Sequence, residues 1–493
     1  MTTTQVSTAG ATPTDKPLGP GVLDGRRYLE SLRDGREVWI GGERIKDVPA
    51  HPLFRGLCQE MARLYDLQHA PGTRDTMTFV NERGVRVSCS YLEPRQPGDL
   101  LRRRRNAEIW ARESFGMMGR YPDFCAAIAV GFKDVGDELA KFDPAFACNS
   151  AWHHQFAAEN DLCLGHGLHD PNMDKTLRPE QDPDRCLRIV KEKDNGIVVR
   201  GARFVTLAPV THELQIAPTY VLNERETEHA LWFAIPTNTP RLRIVCREAF
   251  SGRNAFDHPA SSRFDEQDAL VIFDDVLVPW ERVFLARQPL AANRLFRARV
   301  MSWAIHAAVI QLVARMELLV GVGHLMAKAG GVDSRPNVQQ LLGELVTYKH
   351  IFEALMRDAE ANGVTTPGGL VAPGSLLPQR AFITLVSERI VNILEHIGTS
   401  GLIFLPSEGD FAAPELRPLI DIYYRGKDAT AFDRTKLAKL AWELTGDSFG
   451  GRQQLYERLH SGDPNTLLAA VYQRHNTAGA VAQVNRLLAT AFG

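Results

Sequence analysis

The chain has 493 residues, with 57 basic against 59 acidic side chains, 44% apolar residues and 24% charged ones. The net charge of −2 excludes the strong basic excess of a nucleic-acid binder, and no polybasic cluster flanks an apolar anchor. At about 150 residues per domain, the length suggests three domains with cores large enough to need no disulfide staples.

Residues 1–22 carry neither an apolar core nor a basic leader of the secretory kind and read as a disordered tail. The seven cysteines, Cys58, Cys89, Cys125, Cys148, Cys163, Cys186 and Cys246, are scattered and never spaced C-x-x-C. Neither a disulfide framework nor a zinc site is indicated, no metal is expected, and a cytoplasmic location is. Residues 23–150 read as mainly helical. Asp24 caps GRRYLESLR, VWIGGERI suggests a small hairpin, and a long helix from Leu101 to Met118 ends at GMMGRYPDF, where two glycines and Pro122 force a turn.

Residues 151–287 change character. Two β-rich runs meet at Asp194-Asn195-Gly196, a hairpin signal because Asn and Gly tolerate positive φ. Further strands follow, one alternating Leu242, Ile244 and Cys246 against Arg243, Val245 and Arg247, which predicts a β domain built as a small barrel or sandwich. Residues 288–493 return to helical periodicity with four long candidates, as in a helix bundle. The stretch around Trp303 to Val322 is interrupted by His306, Gln311, Arg315 and Glu317, which favours a buried helix over a membrane span.

Several generic motifs fail on context. Gly446-Asp447-Ser448-Phe449-Gly450 matches a nucleophile elbow, but a helical pattern, not a strand, precedes it. Three clusters remain. In Gly119-Arg120-Tyr121-Pro122-Asp123-Phe124 a guanidinium sits on a turn, though the turn alone reads equally as a helix terminator in which Arg120 pairs with Asp123. His166 lies near His169, Asp170 and Asp174, and a lone histidine is more often structural than catalytic. FDHPASSRFDEQDALVIFDD is dense in Asp, Arg and Ser, and reads also as a salt-bridged loop joining the β domain to its neighbours.

Together and in this order, YLESLRDGREVWIGGERIKDV, FGMMGRYPDF, NDLCLGHGLHDP, GIVVRGARFVTLAP, FAIPTNTP, HPASSRFDEQDALVIFDDVLVPWERVF and GDSFGGRQQLYER resemble the 4-hydroxyphenylacetate 3-monooxygenase oxygenase-component family. The resemblance implies an α+β, acyl-CoA dehydrogenase-like fold: an N-terminal helical domain, a central β-barrel and a C-terminal helix bundle, assembled as a homotetramer. It also implies reduced FAD supplied by a separate NAD(P)H:flavin reductase, O2, and a flavin hydroperoxide that hydroxylates a phenolic ring next to its hydroxyl.

By residue match, Arg120 and His166 would hold the phenolic oxygen, with Phe124, Pro218 and Thr219 on the substrate side. Phe124 stands where 4-hydroxyphenylacetate hydroxylases commonly carry tyrosine, which argues against 4-hydroxyphenylacetate itself as the substrate. Halophenols, nitrophenols and carrier-tethered phenols are the alternatives. His306 lies near a histidine base of some halophenol-oxidising relatives and is a further catalytic candidate. For flavin the resemblance implies Asn172, Met173, Asp174 and Lys175, then Arg178 and Gln181, then Thr206, and finally Ser448, Phe449, Gly450, Gly451 and Arg452. A runner-up is the 4-hydroxybutyryl-CoA dehydratase type of FAD lyase, whose iron–sulfur cluster needs several thiolates; no cysteine follows Cys246, which weighs against it.

Overall fold

The computed structural model describes residues 19–171, 174, 176–460 and 462–491. Most of the expected tail therefore lies outside the described residues. The first helix, Gly25–Ser31, starts where Asp24 accepts a hydrogen bond from the Arg27 N–H. Four longer helices, Pro52–Asp66, Pro97–Glu113, Pro122–Asp134 and Pro144–Glu159, each open on a proline, whose missing N–H costs nothing in a first turn. The long helix ends earlier than its composition suggests. Phe115 and Gly116 both take positive φ, and a Cβ on Gly116 would lie 2.3 Å from the Arg315 nitrogen.

Glu37–Ile40 and Glu43–Ile45 form the expected hairpin, but Glu37–Ile40 also pairs in parallel with Leu242–Cys246. The hairpin is thus the edge of a six-stranded sheet that continues through Asp268–Pro279, Gly196–Thr206 and Arg188–Lys193. A second sheet runs Val283–Ala286, Leu231–Pro236, Glu213–Ile216 and Leu164–Gly167. Lys193 pairs with Gly196 across the Asp194–Asn195 turn, as the hairpin signal predicts. The alternation along Leu242–Cys246 is real: Leu242, Ile244 and Cys246 face inward.

Helices Met301–Ala329, Pro336–Ala361, Leu377–Gly398 and Ala431–Thr445 make the C-terminal bundle. Helix 289–329 is long and apolar enough to cross a membrane, yet it is largely buried in the protein. Three of its polar residues are partnered: His306 Nε2 bonds Glu360 at 2.9 Å, Arg315 pairs with Glu457 at 2.8 Å, and Gln311 donates to the Gly116 carbonyl. The last candidate helix is two helices, Pro464–Arg474 and Ala478–Ala491, because Asn476 Oδ1 accepts the Ala478 N–H and restarts the chain.

Glu213 ties the helical and β regions together. Its buried carboxylate accepts from His153 Nε2 at 2.9 Å, on Pro144–Glu159, and from Arg282 Nη1 at 3.0 Å. Burial raises its pKa, but Arg282 and His153 outweigh that and depress it to about 2. A depressed carboxyl stabilises the fold above its unfolded pKa and loses that contribution as pH falls through the folded value. Glu213→Gln should cost about 3 kcal/mol at neutral pH. Thermal midpoints measured against pH should then show a flatter acid limb between about pH 4.5 and 2 than the wild type. A wild-type acid limb in the variant would overturn this assignment.

Candidate active site

The turn at Arg120 is fixed from both sides. Pro122 opens Pro122–Asp134, and the Tyr121 hydroxyl donates to the Ala307 carbonyl at 3.0 Å, fastening the turn to Met301–Ala329. Asp123 is buried and accepts from Asn106 Nδ2 at 2.7 Å, so the expected Arg120–Asp123 pair does not form. The arginine turns instead toward the second sheet, where its Nε donates to His166 Nε2 at 2.5 Å. Its Nη1 donates to the Gly119 carbonyl at 2.9 Å, and its backbone N–H is taken by Glu266 Oε1 at 2.7 Å. Burial pulls the guanidinium down to about 10, which leaves it charged at neutral pH.

His166 sits on Leu164–Gly167, in register with Gln215 of Glu213–Ile216. Because Arg120 Nε always carries its hydrogen, Nε2 of His166 is the acceptor, as in a neutral imidazole. Phe124 packs against both groups, 5.5 Å from the His166 ring centroid and 4.0 Å below the Arg120 Cζ. His169 is held neutral as well: burial first, then the charges of Arg120 and Arg203, lower its pKa to about 4.

Beside this pair opens a cavity of about 1130 Å³. His166, Arg178, Thr206, Thr219 and Arg452 line it, as do Arg247, Asp268 and Tyr456. Arg452 grips Asp268 with two bonds of 2.7 and 2.9 Å and reaches Glu266 Oε2 at 3.0 Å. Glu266 therefore links Arg452 to the backbone of Arg120. Burial pushes the Asp268 carboxyl up, but Arg452 and Arg247 hold it well below the usual carboxylate range. Thr206 also donates to Asp268, at 2.8 Å.

Other candidates lie elsewhere. His306 does not line the cavity and is bound to Glu360. Ser448, Phe449, Gly450 and Gly451 open Ser448–Leu455, where Asp447 already accepts the Phe449 and Gly450 N–H groups at 2.8 and 3.0 Å. Gly450 is required for packing, since a Cβ there would sit 2.6 Å from the Glu443 carbonyl. Arg178 lines the cavity but is clamped by Glu226 at 2.5 and 3.0 Å, while Gln181 accepts the Arg178 N–H and Asp174 caps Thr176. The Thr219 hydroxyl donates to the Leu168 carbonyl, and Pro218 is outside the cavity wall. Asn172, Met173 and Lys175 lie outside the described residues.

Sequence reasoning missed Tyr456 and Arg247, and it treated Glu266 and Asp268 only as members of an acidic cluster. That cluster does also join parts of the fold: Arg263 pairs with Glu60 at 2.9 Å, and Ser261 donates to Glu443. Burial raises the Glu443 carboxyl to about 7.

A helical region, two β-sheets and a helix bundle surround a cationic cavity beside a buried arginine–histidine pair, in the acyl-CoA dehydrogenase-like fold of the flavin-dependent aromatic hydroxylases. The chain belongs to the 4-hydroxyphenylacetate 3-hydroxylase family: residues 24–285 match its N-terminal and residues 292–489 its C-terminal description. A 4-hydroxyphenylacetate 3-monooxygenase oxygenase component of Thermus thermophilus is 39% identical over 92% of this chain and 94% of its own. A 4-nitrophenol 2-monooxygenase oxygenase component of Rhodococcus is 33% identical over 90% and 86%. A Streptomyces globisporus monooxygenase acting on a carrier-bound 3-chloro-4-hydroxyphenyl amino acid is 34% identical over 92% and 87%. A crystal structure of the oxygenase component HpaB with FAD and 4-hydroxyphenylacetate superimposes with a TM-score of 0.90 at 37% identity, covering 95% of this chain and 99% of that one. An archaeal 4-hydroxybutyryl-CoA dehydratase shares the fold at a TM-score of 0.87 and 20% identity. The chain is accordingly the oxygenase component of a two-component monooxygenase that uses FAD and O2 to hydroxylate a phenol.

Proposed function

We propose that Arg120 and His166 seat the phenolic oxygen and that the cavity beside them receives the flavin. The observation that carries this reading is the 2.5 Å contact between Arg120 Nε and His166 Nε2 at the cavity's edge, a donor and an acceptor side by side in a buried place. A phenolic O–H that inserts there replaces the Arg120–His166 bond, accepting from the guanidinium and donating to Nε2. A free phenol ionises near about pH 10, and a fixed cation with an adjacent base favours the electron-rich phenolate.

The cavity fits FAD by size and chemistry. Ligand pockets commonly enclose about 300–1,000 Å³, and this one carries Arg247 and Arg452, which a diphosphate would share with Asp268, and offers Leu177, Val205, Leu270 and Leu455 to a flat ring. Reduced FAD, when bound, supplies the activated oxygen. The chain's own part is to hold the phenol, to orient the flavin and to keep water out with those apolar walls. We assign Arg178 to fastening the cavity wall through Glu226, and His306 to the helix-packing pair with Glu360.

Phe124 offers a ring and no hydroxyl, so we propose a substrate that needs no hydrogen bond at this position: a halophenol, a nitrophenol or a carrier-tethered phenol. We further propose a homotetramer working in the cytoplasm with a separate NAD(P)H:flavin reductase, its chain divided near residues 150 and 287. The apolar stripe Val481, Val484, Leu487 and Leu488 on Ala478–Ala491, each residue more than half exposed, supports self-association.

The test mixes the protein with chemically reduced FAD, O2 and a panel of 4-nitrophenol, halophenols, 4-hydroxyphenylacetate and carrier-bound tyrosine. At least one phenol should yield hydroxylated product in near-stoichiometric ratio to reduced FAD. Conversion of all reduced FAD to hydrogen peroxide with every phenol would overturn the proposal.

A further inference from the structure

Arg120 is a buried cation whose side chain hydrogen-bonds no carboxylate among the described residues. Its guanidinium donates to His166 and to the Gly119 carbonyl, while Glu266 takes only the backbone N–H. Its charge is met by aromatic faces instead: Cζ lies 4.0 Å over the Phe124 ring and 4.7 Å over the Tyr456 ring. The distinction matters chemically. A carboxylate in contact would cancel the guanidinium's field, whereas a ring quadrupole stabilises the cation and leaves its charge for a third group.

Tyr456 arrives from the far end of the chain, on the π-helical turn Tyr456–His460 that follows Ser448–Leu455. Its ring is held on the cavity side by Arg452, whose Cζ lies 4.8 Å over it, and Arg452 is in turn clamped by Asp268 and Glu266. Gly119 makes room for the ring, since a Cβ there would lie 2.8 Å from the Tyr456 Cε1 and hydroxyl oxygen. Two arginines therefore share one ring: the clamped Arg452 braces it, and the ring steadies Arg120.

We propose that Tyr456 is a positioning residue for the phenol site, its ring keeping the Arg120 guanidinium charged and oriented with no carboxylate bonded to its side chain, and so setting how far a bound phenol ionises. This rests on the reading of Arg120 as the seat of the phenolic oxygen.

The probe is 4-nitrophenol, whose phenolate absorbs apart from its phenol, titrated against pH on the full-length protein. Wild type should lower the probe's apparent pKa. Tyr456→Leu should raise it by about one unit relative to wild type, a tenfold smaller phenolate fraction at a given pH below it. Tyr456→Phe, which keeps the ring, should retain the wild-type titration. Gly119→Ala, which displaces the ring without removing it, should follow Tyr456→Leu and stands in for it if that variant does not fold.

A wild-type titration in Tyr456→Leu or Gly119→Ala, or a loss in Tyr456→Phe equal to that in Tyr456→Leu, would overturn the inference. Arg120→Ala separates the two levels. If it alone abolishes the shift, the role of Tyr456 fails and the phenol seat stands. If it too titrates as wild type, or wild type leaves the probe at its solution value, the seat itself fails.

Discussion

Arg120→Ala is expected to reduce hydroxylated product by about 100-fold or more while oxidation of reduced FAD continues, its electrons appearing as hydrogen peroxide. At neutral pH a phenol that ionises near about 10 is about 0.1% phenolate, so a site that moves this by two units gains about two decades in the reactive form. Arg120 Nε is bonded to His166, and among the described residues no carboxylate hydrogen-bonds its side chain. The fold should survive, because the groups left behind are a carbonyl and a neutral imidazole rather than an unpaired carboxylate. Arg120→Lys should recover little, since a lysine lacks the Nε–H that faces His166 and the planar fork that stacks on Phe124. Product and peroxide quantified per reduced FAD check this, and a wild-type product ratio in Arg120→Ala would remove Arg120 from the chemistry.

Arg452→Met is expected to damage both stability and flavin binding. Its guanidinium joins three carboxylate oxygens, two of Asp268 and one of Glu266, and the Glu266 side chain is fully buried. Removing one partner of such a cluster leaves uncompensated charge and costs about 3–5 kcal/mol. Arg247 remains on Asp268 at 3.1 Å and limits the loss there, so the larger part falls on Glu266, which also holds the Arg120 backbone. Thermal denaturation with and without FAD should show a midpoint lowered by several degrees and a smaller stabilisation by FAD. Asp268→Asn, which removes charge from a partly exposed site, should be milder. An Arg452→Met protein with wild-type midpoint and wild-type FAD response would overturn this account.

The two results differ in kind, and so do the sequence signals behind them. The Arg120 turn was visible because Gly119, Pro122 and the helix that follows are local features. The importance of Arg452 was visible only as a cation in a glycine-rich segment. Its partners, Asp268 and Glu266, are distant in the chain, and beside it the Phe449 and Gly450 N–H groups go to Asp447 while Gly450 packs against Glu443.

The amino-acid sequence by itself determined the order of helical, β and helical regions, the Asp194–Asn195 turn, the prolines that start helices and the residues that mark the family. Each depends on hydrogen bonds or side-chain periodicity within a few residues, so it is written locally. The tertiary structure alone decided that Glu37–Ile40 joins Leu242–Cys246 in parallel, that Arg178 belongs to Glu226, and that Arg120 turns from Asp123 to His166 under the ring of Tyr456. Those choices are made by burial: a charged or aromatic group leaving water takes whichever partner the packed core brings within reach, and that partner can lie hundreds of residues away.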